Sequence, residues 1–143
     1  GVVRDGSGCI FLAYSAFYGS GSSIQDEAEA MLTGISLCDQ RNISLYHIET
    51  DSKIIHDSVN GKISPPWSIT YIIRKCRGWI GNNCLRLSHI WREGNRVTYY
   101  FAFLKVADQG TNVVCFHSFS YFDSKGLELI RGDQLGLHYF RPP

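Results

Sequence analysis

The segment Ile43-Ser-Leu-Tyr-His-Ile-Glu-Thr-Asp-Ser52 decides the fold of this chain. Residues 43–50 have a mixed, mostly apolar pattern, which predicts a β-strand in a buried position of a sheet. The strand ends at Asp51 and Ser52, either of which can cap a following helix. An aspartate at such a junction is more often a helix cap than a ligand, so both interpretations of Asp51 stay open at this point.

The residues before this strand predict a hairpin and then a helix. Residues 1–5 are short and apolar, residues 5–8 have turn composition, and residues 9–18 resume an aromatic-rich strand. Apolar residues at helical spacing predict a helix from about Gln25 to Gln40.

The start of this helix carries Glu29, the first candidate site residue. Ser23, with Asp26 three residues later, fits a capping box at the helix start. Glu29 then falls in the first turn, where the helix dipole favours a carboxylate. Dipole complementarity is therefore the simplest explanation of Glu29, and a ligand role is the alternative.

The residues after Ser52 predict further helices around one more strand. These elements are a helix carrying Ile54, Ile55 and Val59, a helix with an apolar stripe from Ile69 to Ile80, a strand over residues 85–91, and a last helix to about Ala107. The order of hairpin, helix, strand, helices, strand and helix predicts a mixed α/β sheet covered by helices.

Composition places the chain among ordinary globular proteins. It has 143 residues, of which 44% are hydrophobic and 19% charged. Its apolar runs are too short for a membrane span, and its start does not have the pattern of a signal peptide. We therefore expect an intracellular protein, nuclear or cytoplasmic and not secreted, with no membrane partner.

The cysteines indicate reduced thiols. There are five, an odd number, and they include no Cys-x-x-Cys pair. This pattern favours free thiols over a zinc site. Cys38 and Cys76 fall on apolar faces of predicted helices, so we expect both to be buried.

Charge is unevenly distributed along the chain. From Arg74 to Lys105 seven basic residues stand against Glu93 alone, a net charge of +6, and the rest of the chain has a net charge of −5. A basic half beside an acidic half suits a phosphate-binding surface that faces a cation site, and a solvated helix face is the alternative. Trp79 and Trp91 lie among these cations, and their spacing favours core positions over contacts with bases.

The two carboxylates Glu29 and Asp51 suggest a metal site. In an α/β sheet the site lies at the carboxyl ends of parallel strands, beside helix N-termini. Oxygen ligands of this kind bind Mg²⁺, and a pair of such ions clamps both oxygens of a phosphodiester displacement.

Four short motifs follow one another along the chain. They are Gly1-Val-Val-Arg-Asp-Gly-Ser-Gly, Glu27-Ala-Glu-Ala-Met-Leu-Thr-Gly-Ile, Ile48-Glu-Thr-Asp-Ser and His89-Ile-Trp-Arg-Glu-Gly-Asn-Arg-Val. Together they resemble the ribonuclease H domain, and more narrowly its plant, retrotransposon-type branch, which is associated with reverse transcriptases. The tail, in His117-Ser-Phe-Ser and Gly132-Asp-Gln-Leu-Gly-Leu, resembles the carboxyl-terminal extension of such plant proteins.

The resemblance implies a domain organisation and a fold. The ribonuclease H-like domain would span residues 1–107, and the extension would span residues 108–143. The fold would be an α/β, mixed five-stranded sheet flanked by helices, with the first strand missing from this chain. That strand lies between the second strand and the strand that ends at Asp51. We therefore expect the chain alone to be poorly stable, or to be a fragment of a longer product.

The resemblance also implies a chemistry and the residues that would perform it. The family uses four acidic residues to hold two Mg²⁺ ions and to cut the RNA strand of an RNA–DNA hybrid. The second and third acids fall on Glu29 and Asp51, which are the predicted metal ligands. The auxiliary histidine falls on His89, so these three residues are the predicted catalytic set.

Two of the four acidic positions lack a carboxylate in this chain. The fourth falls on Tyr99, and the first belongs to the strand upstream of Gly1. A phenol has a reference pKa of about 10, so it is mostly uncharged at neutral pH and a poor ligand for Mg²⁺. Asp108 lies nine residues beyond Tyr99, on the opposite face of a helix and about 13.5 Å further along it.

These observations predict a nucleic-acid-binding domain that descends from a ribonuclease. We expect its Mg²⁺-dependent hydrolysis of RNA in RNA–DNA hybrids to be lost, with Arg92, Asn95 and Arg96 as nucleic-acid-binding residues. The expected partner is an RNA–DNA hybrid or RNA, bound by a monomer. The alternatives are an active hybrid ribonuclease, a non-catalytic nucleic-acid-binding domain and a degenerate retroelement-derived protein.

Overall fold

A computed structural model describes residues 1–19, 21–104, 113–116 and 122–134. The chain divides into two compact units. The terminal unit consists of Gly1–Phe17 and Trp91–Pro143, and the central unit consists of Tyr18–Ile90. Within the described residues, no helix is long and apolar enough to cross a membrane.

The terminal unit begins with the predicted hairpin. Strands β1 (Val2–Arg4) and β2 (Ile10–Ala16) pair in antiparallel fashion. The Asp5 carboxylate closes the turn by accepting hydrogen bonds from the backbone N–H groups of Ser7 and Cys9, both at 2.9 Å. This is the local chemistry by which aspartate favours turns, and it confirms the hairpin prediction.

The remainder of the terminal unit packs helices on this hairpin. Strand β5 (Val113–Phe116) pairs in antiparallel fashion with β2, and helices α4 (Arg96–Phe103) and α5 (Ser124–Gln134) complete the described part. Its buried core consists of Ile10, Ala13, Val97, Phe101 and Ile130.

The central unit joins three helices to a pair of parallel strands. The helices are α1 (Ser23–Gln40), α2 (Lys53–Val59) and α3 (Thr70–Asn82), and the strands are β3 (His47–Thr50) and β4 (Arg86–His89). Its buried core consists of Ala28, Ile35, Ile55, Val59, Ile69, Ile72, Ile73, Cys76 and Leu87. The predicted α/β class, with parallel and antiparallel pairing, is therefore confirmed.

The prediction that residues 43–50 form a buried strand is wrong in two respects. The strand starts at His47, and the side chains of His47 and Glu49 are exposed. The reason is the twofold alternation of a strand, because Ile48 packs against the core while its neighbours face outward.

The predicted start of α1 is also displaced. Ser22 rather than Ser23 precedes the helix, and its backbone N–H donates to the side chain of Gln25 at 3.0 Å. The capping box is thus Ser22–Gln25, one residue earlier than predicted. As a consequence, Glu29 is the seventh residue of α1 and lies beyond its first turn.

The predicted boundary between residues 107 and 108 lies outside the described residues and stays a prediction. Helix α4 is described as far as Phe103, and its predicted continuation to Ala107 lies outside as well. The same holds for Asp108 and for the motif that starts at His117. Of the predicted extension, β5 and α5 are described.

Candidate functional site

The ends of β3 and β4 place two of the predicted site residues at one edge of the central unit. Thr50 is the register partner of His89, and the N–H of Ile90 donates to the carbonyl of Thr50 at 2.9 Å. Asp51 follows Thr50 directly, so Asp51 and His89 both lie at the carboxyl end of this parallel pair. Both are half-buried.

Ser52, and not Asp51, is the residue that precedes α2. Its carbonyl accepts the first helical hydrogen bond, from the N–H of His56 at 2.9 Å. Its own N–H donates to the Thr50 hydroxyl at 3.2 Å. The capping position is therefore taken by Ser52, and Asp51 lies one residue before it.

Glu29 lies on α1 beside α3. Burial and, as a second cause, the Glu29 carboxylate raise the pKa of the Cys76 thiol to about 11. The pKa of Lys75 is raised chiefly by Tyr71 and also by Glu29. Because helix-dipole effects fade beyond the first turn, dipole complementarity no longer explains Glu29. Its electrostatic neighbours include Lys75 and Cys76 on the adjacent helix and Tyr18, which precedes α1.

The described carboxylates do not by themselves fit a site for two Mg²⁺ ions. Among the residues that the structure describes, no group of three or more His, Cys, Asp or Glu side chains is arranged to hold a metal ion. Glu29, Asp51 and His89 therefore do not form a three-ligand cluster. The role of Glu29 and Asp51 as metal ligands stays a prediction.

A second histidine, which the sequence interpretation missed, lies against His89. The rings of His56 and His89 meet edge to face, with centroids 6.1 Å apart. Nδ1 of His56 donates to the Asp57 carboxylate at 2.8 Å, since a carboxylate can only accept. This bond leaves Nε2 of neutral His56 as a proton acceptor. The available signal was a His-Asp pair in the helix that follows Asp51.

Asp57 is held by charges from two sides. Lys53 lies one helical turn away at 3.1 Å, and Lys62 lies at 3.7 Å. The hydrogen bond from His56, followed by the contacts with these lysines, lowers the pKa of the Asp57 carboxyl. The anionic Asp57 thus holds the His56 ring in one orientation, and it is this ring that His89 contacts.

The predicted nucleic-acid-binding residues lie in the terminal unit. Arg92 and Asn95 bound a short 3₁₀ turn, and Arg96 is the first residue of α4. Both arginines are exposed, and Asn95 is half-buried. Tyr99 is on the same helix and is also half-buried.

The tryptophans and one arginine of the basic region take different positions. Trp79 packs against the core of the central unit, as predicted, whereas Trp91 is 77% exposed and the core prediction for it is wrong. Arg77 donates from Nε to the carbonyls of Ser58 and Val59 at 3.1 and 3.2 Å. This arginine satisfies the carboxyl end of α2, so its fork is not available to a phosphate in this arrangement.

Comparison with known proteins supports the resemblance found in the sequence. Residues 1–104 match the family described as reverse transcriptase-like. The chain is 28% identical over 142 residues to a "Putative ribonuclease H protein" of Arabidopsis thaliana, with 95% of the chain and 22% of that relative covered. The chain thus spans about a fifth of the length of this curated relative. A search of solved structures finds no significant match.

Proposed function

Because this chain belongs to the reverse transcriptase-like family of ribonuclease H-like domains, we propose that it is a nucleic-acid-binding domain without hybrid hydrolysis. Its ligand is an RNA–DNA hybrid or RNA. The domain acts as a monomer inside the cell, in the nucleus or the cytoplasm, where free thiols such as Cys38 and Cys76 persist.

The charge pattern of residues 58–92 supports the nucleic-acid-binding part of this proposal. From Ser58 to Arg92 the chain contains no aspartate or glutamate, while six residues are lysine or arginine. All six residues are exposed, and one of them, Arg77, is hydrogen-bonded to the end of α2. A long stretch of one charge sign favours a polyanionic partner, because counterion release drives the association.

The terminal unit has two exposed arginines of its own at the start of α4. Arg92 and Arg96 are one helical turn apart around Asn95. Guanidinium groups bind phosphate oxygens in a planar, bidentate manner, and an amide can add a hydrogen bond to sugar or phosphate. These three residues are therefore our proposed backbone contacts.

The loss of hydrolysis rests on the donor set. In the family the fourth acid would stand at Tyr99, where this chain has a phenol. Phenols are mostly uncharged at neutral pH, so Tyr99 does not supply the charge that two Mg²⁺ ions require. If Mg²⁺ binds, Glu29 and Asp51 are the carboxylates that would hold it, and it would supply charge neutralisation at the phosphate.

The binding half is tested with a labelled RNA–DNA hybrid and the matching RNA strand, by fluorescence anisotropy over a range of salt concentrations. We expect binding that weakens as salt rises. Arg92→Ala with Arg96→Ala should weaken it and flatten the salt dependence, whereas Lys125→Ala, an exposed cation on α5, should not. An affinity that does not change with salt concentration, or no detectable binding, would refute the proposal.

The catalytic half is tested by incubating the hybrid with the chain and Mg²⁺. We expect intact RNA with the native residue at position 99, because its phenol does not supply the fourth carboxylate. Mg²⁺-dependent cleavage that disappears in Asp51→Asn would instead establish an active hybrid ribonuclease and overturn this half. Because this chain retains Glu29, Asp51 and His89, the Asp51→Asn variant is the control that distinguishes the two outcomes.

A further inference from the structure

An exposed stripe of aromatic and basic side chains runs along the start of α3. Trp67, in the 3₁₀ turn before the helix, is 90% exposed, and Tyr71 is 64% exposed. Arg74 and Lys75 are exposed as well. Tyr71, Arg74 and Lys75 lie on one face of α3 by their i, i+3 and i+4 spacing, and Trp67 lies in the turn that leads into this helix. We name these four residues the Trp67 stripe.

The opposite face of the same helix explains why the stripe points to solvent. Ile69, Ile72, Ile73 and Cys76 are buried in the core of the central unit. These residues therefore form the apolar face by which α3 packs against the core. Trp67 and Tyr71 expose large apolar side chains to solvent, so packing of the core does not explain why these residues are aromatic.

The backbone under Trp67 is fixed. The N–H of Ile69 and the hydroxyl of Thr70 both donate to the carbonyl of Pro66, at 3.1 and 3.0 Å. Ile69 is fully buried. The indole of Trp67 thus projects from an anchored turn, and ordering this segment on binding would cost little conformational entropy.

The charges around the stripe favour an anion. The ammonium of Lys75 lies 4.6 Å from the centroid of the Tyr71 ring, so a cation already accompanies an aromatic face. The segment that carries the stripe belongs to the run from Ser58 to Arg92 without a carboxylate. Glu29, on α1, lies close enough to Lys75 to influence its pKa, so the stripe adjoins a predicted site residue.

We propose that the Trp67 stripe binds unpaired bases of single-stranded nucleic acid by stacking, with Arg74 and Lys75 contacting the adjoining phosphates. Rings on a cationic surface are the usual platform for single strands, because every base has a π-face. A duplex does not offer those faces, since its bases are stacked on one another. Trp67, in the turn before α3, and Tyr71, in its first turn, are four residues apart, so each would receive a separate base.

This inference rests on the proposed function in that its ligand is also nucleic acid, but its test is separate. The probe is a fluorescein-labelled oligothymidine, with oligouridine as the RNA counterpart, titrated by anisotropy with the full chain. Trp67→Ala and Tyr71→Ala should each weaken binding about fivefold or more. Tyr46→Ala, which removes an 82% exposed tyrosine outside the stripe, should leave it unchanged.

The cations are tested through the salt dependence. Replacing Arg74 and Lys75 together by alanine should make the log–log slope shallower by about 1.4, as expected for two phosphate contacts on a single strand. Lys125→Ala should not alter the slope. An unchanged slope in the double variant would count against the phosphate contacts and overturn that part.

The remaining outcomes separate the two proposals. Binding to the RNA–DNA hybrid without binding to oligothymidine or oligouridine would overturn the stripe and leave the proposed function standing. Oligonucleotide binding that depends on Trp67, without any binding to the hybrid, would support the stripe and refute hybrid recognition. Self-association that Trp67→Ala abolishes, without oligonucleotide binding, would assign the stripe to a second copy of the chain and overturn the proposal.

Discussion

The imidazole of His56 lies edge-on against the imidazole of His89, with centroids 6.1 Å apart and ring planes 67° apart. His89 ends β4, while His56 lies on α2 and is held by Asp57. The contact connects the end of β4, where the predicted catalytic residue His89 lies, to α2. Through His56 it also connects His89 to the charged side chain of Asp57. The His56 ring is held in this position by its hydrogen bond to the Asp57 carboxylate.

Asp57→Asn should therefore lower the stability of the chain at neutral pH. The pKa of Asp57 is below its ordinary value of 3.8 because of the His56 bond and the lysines. A lowered pKa stabilises the folded state above 3.8, and this contribution disappears as pH falls through the lower folded value. In urea titrations, the gap between variant and wild type should be largest near neutrality and shrink below pH 3.8. A gap that stays the same from neutral pH to below pH 3.8 would contradict this role of Asp57.

Arg77→Ala should destabilise the central unit by about 1.5–3 kcal/mol, because it removes charged hydrogen bonds to the last carbonyls of α2. Arg77→Lys should recover only part of this loss, since an ammonium lacks the planar fork. Arg74→Ala, on the exposed face of the same helix, should change the free energy of unfolding by less than about 0.5 kcal/mol. Equal effects of Arg77→Ala and Arg74→Ala would show that the contact with α2 contributes nothing.

Gly126→Ala should destabilise the terminal unit although alanine is the better helix former. A Cβ at Gly126 would overlap the phenol of Tyr100, which is hydrogen-bonded to Asp123 and packs on Phe122. Overpacking of this kind costs about 1–3 kcal/mol. The matched control is Gly78→Ala on α3, where a Cβ meets open space. That substitution should raise stability by about 0.5–1 kcal/mol in thermal or urea unfolding. A stabilising Gly126→Ala would mean that Tyr100 moves aside freely.

Thiol labelling should separate the cysteines by burial. Cys9 and Cys84 are exposed and should react rapidly with a maleimide in the native protein, as read by mass spectrometry of peptides. Cys76 is buried, with a pKa of about 11, and should react only after unfolding. A raised thiol pKa also means that stability is lost as pH rises from 9.0 towards 11, and Cys76→Ala should reduce that loss. Rapid native labelling of Cys76 would contradict its burial.

Local sequence rules predicted most elements of the fold. Asp5 and the glycines after it specified the hairpin turn, and the apolar spacing from Ile69 to Ile80 specified α3. The errors fell at element ends, as for the start of β3 at His47. Burial of that strand was misjudged because Ile43 and Leu45 precede the strand rather than belong to it. Element ends depend on a few hydrogen bonds and are less strongly specified than the periodic interiors.

The candidate site was predictable only in part. Asp51 was found because strand ends collect site residues, and His89 was found through the resemblance to the ribonuclease H domain. The register of Thr50 with His89 places both residues at one edge. His56 was missed because the His-Asp pair in α2 does not by itself indicate a contact with residue 89. The core position predicted for Trp91 was wrong because Trp91 lies beyond the end of β4, where the alternation of the strand no longer determines exposure.

The sequence by itself determined the family, the element order and the absence of a carboxylate at Tyr99, because these depend on residue identity and on spacing within single elements. The tertiary structure decided that His56 contacts His89, that Arg77 donates hydrogen bonds to the end of α2, and that Trp67 faces solvent. Each of these depends on which distant segments pack together. Local propensity fixes the helix or strand, whereas the neighbours that remove water from a side chain are set only when the core closes.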